Sequence, residues 1–202
     1  MAPGANYGRL LKAQESESPM FIQTEETPNP ETLKFLPGED VIGNGTANFT
    51  AAEDAATSPL ALRLFATEGV QGVFLGSDFI TVTKTGDRDW ATLKPSVLGA
   101  IMEHFMSGLP VMEAAAPADA EADAGDDDPV VAQIKELLDT RVRPAVAQDG
   151  GDITFHGFED GVVLLHMQGS CAGCPSSTAT LKHGIENLLR HYIPEVVEVR
   201  PI

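Results

Sequence analysis

Residues 149–178 read DGGDITFHGFEDGVVLLHMQGSCAGCPSST, and this stretch decides the fold of the second half of the chain. Two runs rich in apolar and β-branched residues, 153–158 and 162–167, flank Glu159-Asp160-Gly161, which is a strong hairpin signal. The second run leads into Cys171-Ala172-Gly173-Cys174, and beyond it apolar residues recur at helical spacing. These helix positions are Leu181, Ile185, Leu188, Leu189 and Tyr192. The stretch therefore predicts a hairpin, a cysteine-bearing loop and a helix.

The flanking sequence completes a small domain over residues 129–202. Asp128 is placed to cap a helix that has Pro129 at its first position. Arg143-Pro144 is expected to bend or end that helix, because proline lacks the N–H that a helix interior needs. Residues 196–199 are predicted to form a last strand.

The first half of the chain predicts another domain over residues 20–112. Ser58-Pro59 is a favourable helix start, with a capping hydroxyl followed by proline in the first turn. Residues 70–75 and 79–83 are predicted to be hairpin strands, and a further helix is expected from about Asp89 to Met106. Met20 opens the first strand-like run, so we interpret residues 1–19 as an unpacked extension.

An acidic segment separates the two domains. Residues 113–128 hold seven acidic side chains, no basic one and nothing that could anchor a core. Self-repulsion along such a segment favours an extended tether, which we expect to keep the domains apart. The predicted fold class is α+β: two small α/β-layered domains joined by an acidic flexible linker.

The composition excludes several classes of partner. The 202 residues carry 30 acidic and 13 basic side chains, for a formal net charge of −17. Such a surface repels phosphate backbones and anionic lipids, so neither nucleic acid nor a membrane is expected as a partner. No run approaches the ~18 consecutive apolar residues of a membrane span. The two cysteines are spaced as a metal or redox pair, which indicates a soluble protein of a reducing compartment.

The cysteine pair lies where a strand passes into a helix. Unpaired N–H groups and the positive end of the helix dipole at such a position stabilise thiolate over thiol. Gly169 and Gly173 allow the tight backbone that converging sulfurs require. We therefore predict reactive or metal-binding thiolates at Cys171 and Cys174.

Two chemistries suit such a pair. Zinc and iron–sulfur clusters usually need four protein ligands, and this chain supplies two cysteines, so a metal site is expected to be shared by two chains. A dithiol redox site is the alternative. It is disfavoured because the loop follows a hairpin rather than lying in the βαβ unit expected of a thioredoxin-like fold.

The histidines are not expected to complete the site. His156 and His166 are predicted to lie in strands, whereas His183 and His191 are two or more turns along the helix. His104 lies near the end of a helix in the first domain, where exposure or a favourable charge at the helix end is the simpler interpretation.

Two sets of motifs resemble a known family. Asp149-Gly150-Gly151-Asp152, followed by the run from Gly169 to Ser177, strongly resembles the carboxy-terminal domain of NifU, the Nfu-type iron–sulfur scaffold domain. The run from Gln23 to Phe35, with Glu68-Gly69-Val70 and residues 78–82, is similar to the companion amino-terminal domain of Nfu proteins.

The resemblance implies a carrier rather than an enzyme. Cys171 and Cys174 of two subunits would bridge a [4Fe–4S] cluster in a homodimer, receive it from upstream assembly machinery and pass it to apo iron–sulfur client proteins. The amino-terminal domain would recognise clients or partners. A zinc-binding adaptor remains an alternative. The bacterial cytoplasm is the expected location, with the mitochondrial matrix as the competitor because the same family occurs there.

Overall fold

The structure is a computed structural model that describes residues 21–113, 128–173 and 175–202. The extension expected at residues 1–19, the linker apart from Glu113 and Asp128, and Cys174 lie outside the described residues. Within the described part, no helix combines the length and the apolar character needed to cross a bilayer.

The amino-terminal domain is built on a five-stranded antiparallel sheet. Its strands are β1 (Gln23–Glu26), β2 (Thr32–Leu36), β3 (Ala47–Phe49), β4 (Val70–Leu75) and β5 (Ile80–Lys84). Their spatial order is β1-β2-β5-β4-β3. The predicted hairpin of β4 and β5 is confirmed. The sequence interpretation did not include β3, and β1 begins at Gln23 rather than at Met20.

Two helices cover one face of this sheet: α1 (Pro59–Phe65) and α2 (Trp90–Ser107). The Ser58 hydroxyl accepts the N–H of Ala61, so the predicted cap is confirmed. The core between helices and sheet is apolar and includes Leu33, Phe35, Leu60, Leu64, Val73, Leu75, Ile80, Val82, Leu93, Val97 and Ile101. This packing fixes the sheet as a rigid platform.

The interpretation of His104 as exposed is wrong. Its side chain is fully buried, and neither ring nitrogen has a hydrogen-bond partner among the residues that the structure describes. Residue 104 continues the helical spacing of Val97 and Ile101, so it turns toward the core rather than toward water. Burial, with a smaller contribution from the nearby Arg63 charge, lowers the pKa of His104.

The carboxy-terminal domain begins with a helical run that changes register. It comprises α3 (Pro129–Leu137), a π-helical turn (Leu138–Val142) and α4 (Arg143–Gln148). The predicted cap is confirmed, since the Asp128 carboxylate accepts the N–H of Val130. Pro144 lies in the first turn of α4, where its missing N–H costs little, so the run continues instead of ending there.

A three-stranded sheet packs against these helices. Its strands are β6 (Gly151–Glu159), β7 (Val162–Gly169) and β8 (Glu198–Pro201), in the order β6-β7-β8. Asp160 and Gly161 both have positive φ, as a tight hairpin turn requires, which confirms that turn. The last strand begins two residues later than predicted, because Val196 takes part in a turn that follows Ile193.

Helix α5 (Pro175–Tyr192) connects β7 to β8, and these two strands pair in parallel. The cysteine-bearing loop therefore does lie in a βαβ unit. The absence of such a unit was our reason for disfavouring redox chemistry, and that reason is wrong.

The two domains contact each other in the structure. Polar donors on the sheet face opposite the helices, and on loops beside it, bond to residues 148–152 and to Ala172 of the carboxy-terminal domain. The expectation that the linker keeps the domains apart is therefore wrong. A tether limits how far two domains can separate, but its charge does not oppose contacts made elsewhere on their surfaces.

Candidate functional site

The candidate site is the loop between β7 and α5, and we call residues 169–173 the cysteine loop. Gly169 and Gly173 both have positive φ, of 63° and 80°, which confirms that glycine is needed there for a tight backbone. The Ala172 N–H bonds the Gly169 carbonyl, and the Thr178 hydroxyl bonds the Cys171 carbonyl at 3.0 Å. These bonds fix the backbone of Cys171 between the strand and the helix.

The cysteine loop packs on the turn at residues 149–152. A Cβ atom on Gly151 would lie 2.7 Å from Cys171 Sγ and 2.6 Å from the Gln168 carbonyl oxygen. Real Cβ atoms do not approach other atoms so closely, so only glycine allows the turn to pass this near the thiol. The Ser170 hydroxyl donates to the Asp149 carbonyl and ties the two segments together.

An ion pair between half-exposed Arg143 and buried Asp152 holds the same turn. The Arg143 guanidinium donates from Nε to Asp152 Oδ1 at 2.9 Å and from Nη2 to Asp152 Oδ2 at 2.8 Å. The Asp152 side chain is only 6% exposed, and it also accepts the backbone N–H of Ile153. The hydrogen bonds to Asp152 raise the pKa of Arg143 above its ordinary value. This planar, two-bond arrangement fixes the start of β6 beneath the cysteine loop.

The Cys171 thiol is buried, with 6% of the residue exposed. Burial raises its pKa to about 11, and the nearby carboxylates of Asp149 and Asp152 act in the same direction. A contact with the Ser170 hydroxyl opposes this change. Loss of solvent at Cys171 therefore opposes the thiolate that we predicted there, and the prediction for Cys174 stays a prediction.

Other candidate ligands lie away from the loop, as the sequence predicted. His156 and His166 are exposed on β6 and β7, while His183 and His191 are exposed on α5. Within residues 21–113, 128–173 and 175–202, no three side chains among His, Cys, Asp and Glu are grouped closely enough to hold a metal ion. Cys174, the second predicted ligand, is outside the described residues.

An apolar cavity of about 540 Å³ opens beside Cys171. Its walls come mainly from α5 and from the helical run before β6, and they include Val142, Leu181, Ile185 and Leu188. Pro28 of the amino-terminal domain also contributes to its lining. A surface of this kind suits an apolar side chain of another protein better than a charged metabolite.

The amino-terminal domain reaches the cysteine loop directly. The Asn29 side-chain amide donates to the Ala172 carbonyl at 3.2 Å, although the two residues are 143 positions apart. Sequence reasoning missed this contact and the role of Arg143. The acidic pair that flanks two glycines at residues 149–152 was visible, but nothing in the sequence marked Arg143, nine positions before Asp152, as the partner of that carboxylate.

Two family models match the chain in the order of its domains. Residues 22–108 match the model described as "Scaffold protein Nfu/NifU N terminal", and residues 134–200 match the "NifU-like domain".

Curated relatives align with about nine tenths of the chain. A protein of Drosophila sechellia named "NFU1 iron-sulfur cluster scaffold homolog, mitochondrial" is 57% identical over 185 residues, covering 91% of this chain and 65% of that protein. The chain thus spans slightly less than two thirds of that relative. A human protein of the same name is 54% identical over 184 residues, covering 91% of this chain and 72% of that protein. A solved NifU-like protein from Saccharomyces cerevisiae is 23% identical with a TM-score of 0.45, covering 55% of this chain and all of that one.

Proposed function

The chain belongs to the Nfu/NifU family of scaffold proteins, and on that premise we propose that it carries a [4Fe–4S] cluster bound between two copies of the chain and delivers it to apoproteins. The cluster is cargo rather than a resident cofactor. Cys171 and Cys174 of each copy are the proposed ligands.

One observation carries this proposal. Cys171 lies on a loop built from glycines between a strand and a helix, in a chain that has only two cysteines. A cubane cluster takes four thiolate ligands, so one chain supplies half of them. Two copies that present the same loop to each other complete the set, and this supports a site shared across a twofold interface.

The shared site couples loading to dimerisation. Because the cluster binds only the paired chains, cluster binding favours dimerisation and dimerisation favours cluster binding, by mass action. Binding also displaces the thiol protons, since thiolate is the form that ligates metal. During delivery, client thiolates replace those of the carrier one at a time.

The partners of the proposed carrier follow from its cargo. Upstream assembly machinery supplies the cluster, and apo iron–sulfur proteins accept it. The relatives are named as mitochondrial, which favours the mitochondrial matrix as the location over the bacterial cytosol that we first expected. We assign no catalytic step to the chain.

The two alternatives make different use of the thiols. A dithiol redox protein would use Cys171 and Cys174 for disulfide exchange and would turn over without iron, so an iron-free reductase assay separates it from a cluster carrier. A zinc-binding adaptor would use the same ligands but would hold the metal permanently in a colourless site. Metal analysis therefore separates it from a cluster carrier.

Cysteine substitutions test the proposal. We expect Cys171→Ser or Cys174→Ser, each alone, to abolish cluster retention after anaerobic reconstitution of the full chain. His183→Ala is the control, because His183 is exposed on α5, and it should retain the wild-type iron content. Full retention of the cluster in either cysteine variant would refute the assignment.

A further inference from the structure

The amino-terminal sheet is buried on both faces, which is unusual for a small antiparallel sheet. One face packs on α1 and α2, and such sheets commonly leave the other face to water. Here the second face carries Lys34, Phe74 and Thr81, which are 7%, 1% and 1% exposed. We call these three residues the outer face. None of them belongs to the core under the helices, so the carboxy-terminal domain is what covers them.

The outer face and the loops beside it form hydrogen bonds with the carboxy-terminal domain. Lys34 Nζ donates to the Gln148 carbonyl at 3.0 Å, and Thr81 Oγ1 donates to the Gly150 carbonyl at 2.7 Å. On adjoining loops, Thr46 donates to Asp152 and Asn29 to Ala172. In all four bonds the amino-terminal domain supplies the donor. Three of the acceptors are backbone carbonyls, and all four lie within residues 148–152 or in the cysteine loop.

Close steric contacts involve the same two segments, the turn at residues 149–152 and the cysteine loop. A Cβ atom on Gly150 would lie 2.8 Å from Thr81 Oγ1, and one on Gly169 would lie 3.0 Å from the Phe74 ring. Phe74 and Phe79 form a tilted ring pair at 5.9 Å, and the Lys34 ammonium lies 4.9 Å from the Phe79 ring centre. The two glycines let the backbone of the loop approach this aromatic and cationic surface.

We propose that the outer face of the amino-terminal sheet is a binding surface for the cysteine loop of the same chain, occupied in the cluster-free protein and vacated when the loop joins a second chain. This proposal rests on the proposed cluster-carrier function. The amino-terminal domain thereby acts as a cover that competes with cluster loading.

The contact at Asn29 gives the reason for the competition. Asn29 bonds the Ala172 carbonyl of the cysteine loop, while the neighbouring Cys171 thiol packs in the core of the carboxy-terminal domain. A bridging cluster requires this segment to face another copy of itself, and a five-stranded domain bonded to the same loop occupies part of that space. Because the cover belongs to the same chain, it stays close to the loop after it has moved aside.

Two isosteric substitutions weaken the cover. Asn29→Asp keeps the oxygen that accepts the Glu31 N–H, but it replaces the amide donor with an anion facing the Ala172 carbonyl. Thr81→Val removes the hydroxyl that bonds Gly150. Thr83→Val and Asn187→Asp are matched controls. Thr83 lies on the same strand face, Asn187 is exposed on α5, and neither bonds the opposite domain in the described part of the chain.

The measurement is the alkylation rate of Cys171 by iodoacetamide in the reduced, metal-free full chain, followed by mass spectrometry of the Cys171 peptide. Two lost hydrogen bonds predict a rate about tenfold higher in the Asn29→Asp/Thr81→Val double variant. The control variants should keep the wild-type rate. Circular dichroism establishes that each variant is folded, and if the double variant is unfolded, Asn29→Asp alone serves in its place.

Equal rates in the double variant and the wild type would overturn the proposal. A metal-free wild-type chain that is dimeric by light scattering would also overturn it, since the surface would then hold the loop of a second copy. Reconstitution separates this inference from the proposed function. If the double variant is alkylated faster but neither the wild type nor any variant loads a cluster, the carrier function is refuted and the cover is not. If the cluster loads but the double variant is alkylated at the wild-type rate, the cover is refuted and the carrier function is not.

Discussion

Gly151 and Cys171 are in direct contact: a Cβ atom on Gly151 would lie 2.7 Å from the Cys171 sulfur. The turn before β6 therefore fixes the position of the thiol, and the cysteine loop is not an independent motif. This contact explains why β6 begins with a glycine, and it makes Gly151 a positioning residue for the proposed cluster site.

Gly151→Ala is expected to reduce cluster loading strongly. The added methyl group meets both the sulfur and the Gln168 carbonyl oxygen, so the loop must shift, at a cost of about 1–3 kcal/mol in the free energy of unfolding. Iron content after anaerobic reconstitution measures the loss, which we expect to be about tenfold.

Gly157→Ala is the matched control on the same strand. Its Cβ would have only Leu164 Cδ1 nearby, at 4.0 Å, and its φ is not positive. It should load as the wild type does. Equal loading by Gly151→Ala would mean that the contact does not position the thiol.

Arg143→Lys is expected to loosen the turn before β6. Lysine cannot reproduce the two-bond fork, which leaves the buried Asp152 carboxylate partly unpaired. Hydrogen exchange of the Ile153 N–H, which bonds Asp152 Oδ1 at 2.8 Å, should become about tenfold faster. Arg200→Lys changes an exposed ion pair with Glu198 and should leave that exchange rate unaltered. Unchanged exchange in Arg143→Lys would show that the fork does not hold the turn.

Local signals predicted much of the fold. Ser58 and Asp128 cap helices as expected, because capping depends only on the few residues that follow. The Asp160-Gly161 turn and the strand–loop–helix position of Cys171 were predictable for the same reason. Pro144 was harder to interpret, since a π-helical turn just before it lets the helical run continue.

The burial of His104 leads to a prediction about pH. Its pKa is lowered in the folded chain, so the unfolded chain binds the proton more readily, and stability is lost as the pH falls below about 6.5. Urea unfolding followed through Trp90, in the same domain, should show a loss of up to about 1 kcal/mol between pH 7 and pH 5.5.

His104→Leu should remove this acid-dependent loss, because it replaces an unpartnered buried imidazole with an apolar side chain. His183→Leu changes an exposed histidine and should keep the wild-type pH dependence. An unaltered slope in His104→Leu would assign the acid sensitivity to other groups.

The contact between the domains was beyond sequence reasoning. The bonded pairs Lys34–Gln148 and Thr81–Gly150 are 114 and 69 positions apart, and no local pattern reports such distances. One signal was present. Phe74 is a large apolar residue on the strand face opposite Val73 and Leu75, where an uncovered sheet would carry a polar side chain.

A cluster shared by two chains is tested most directly by iron and acid-labile sulfide analysis of the full chain after anaerobic reconstitution. The mass of the reconstituted protein in solution and its absorption spectrum are measured on the same sample. We predict a brown dimer with about four iron and four sulfide ions per two chains. A colourless zinc-bound protein, or a full cluster held by a monomer, would contradict the account.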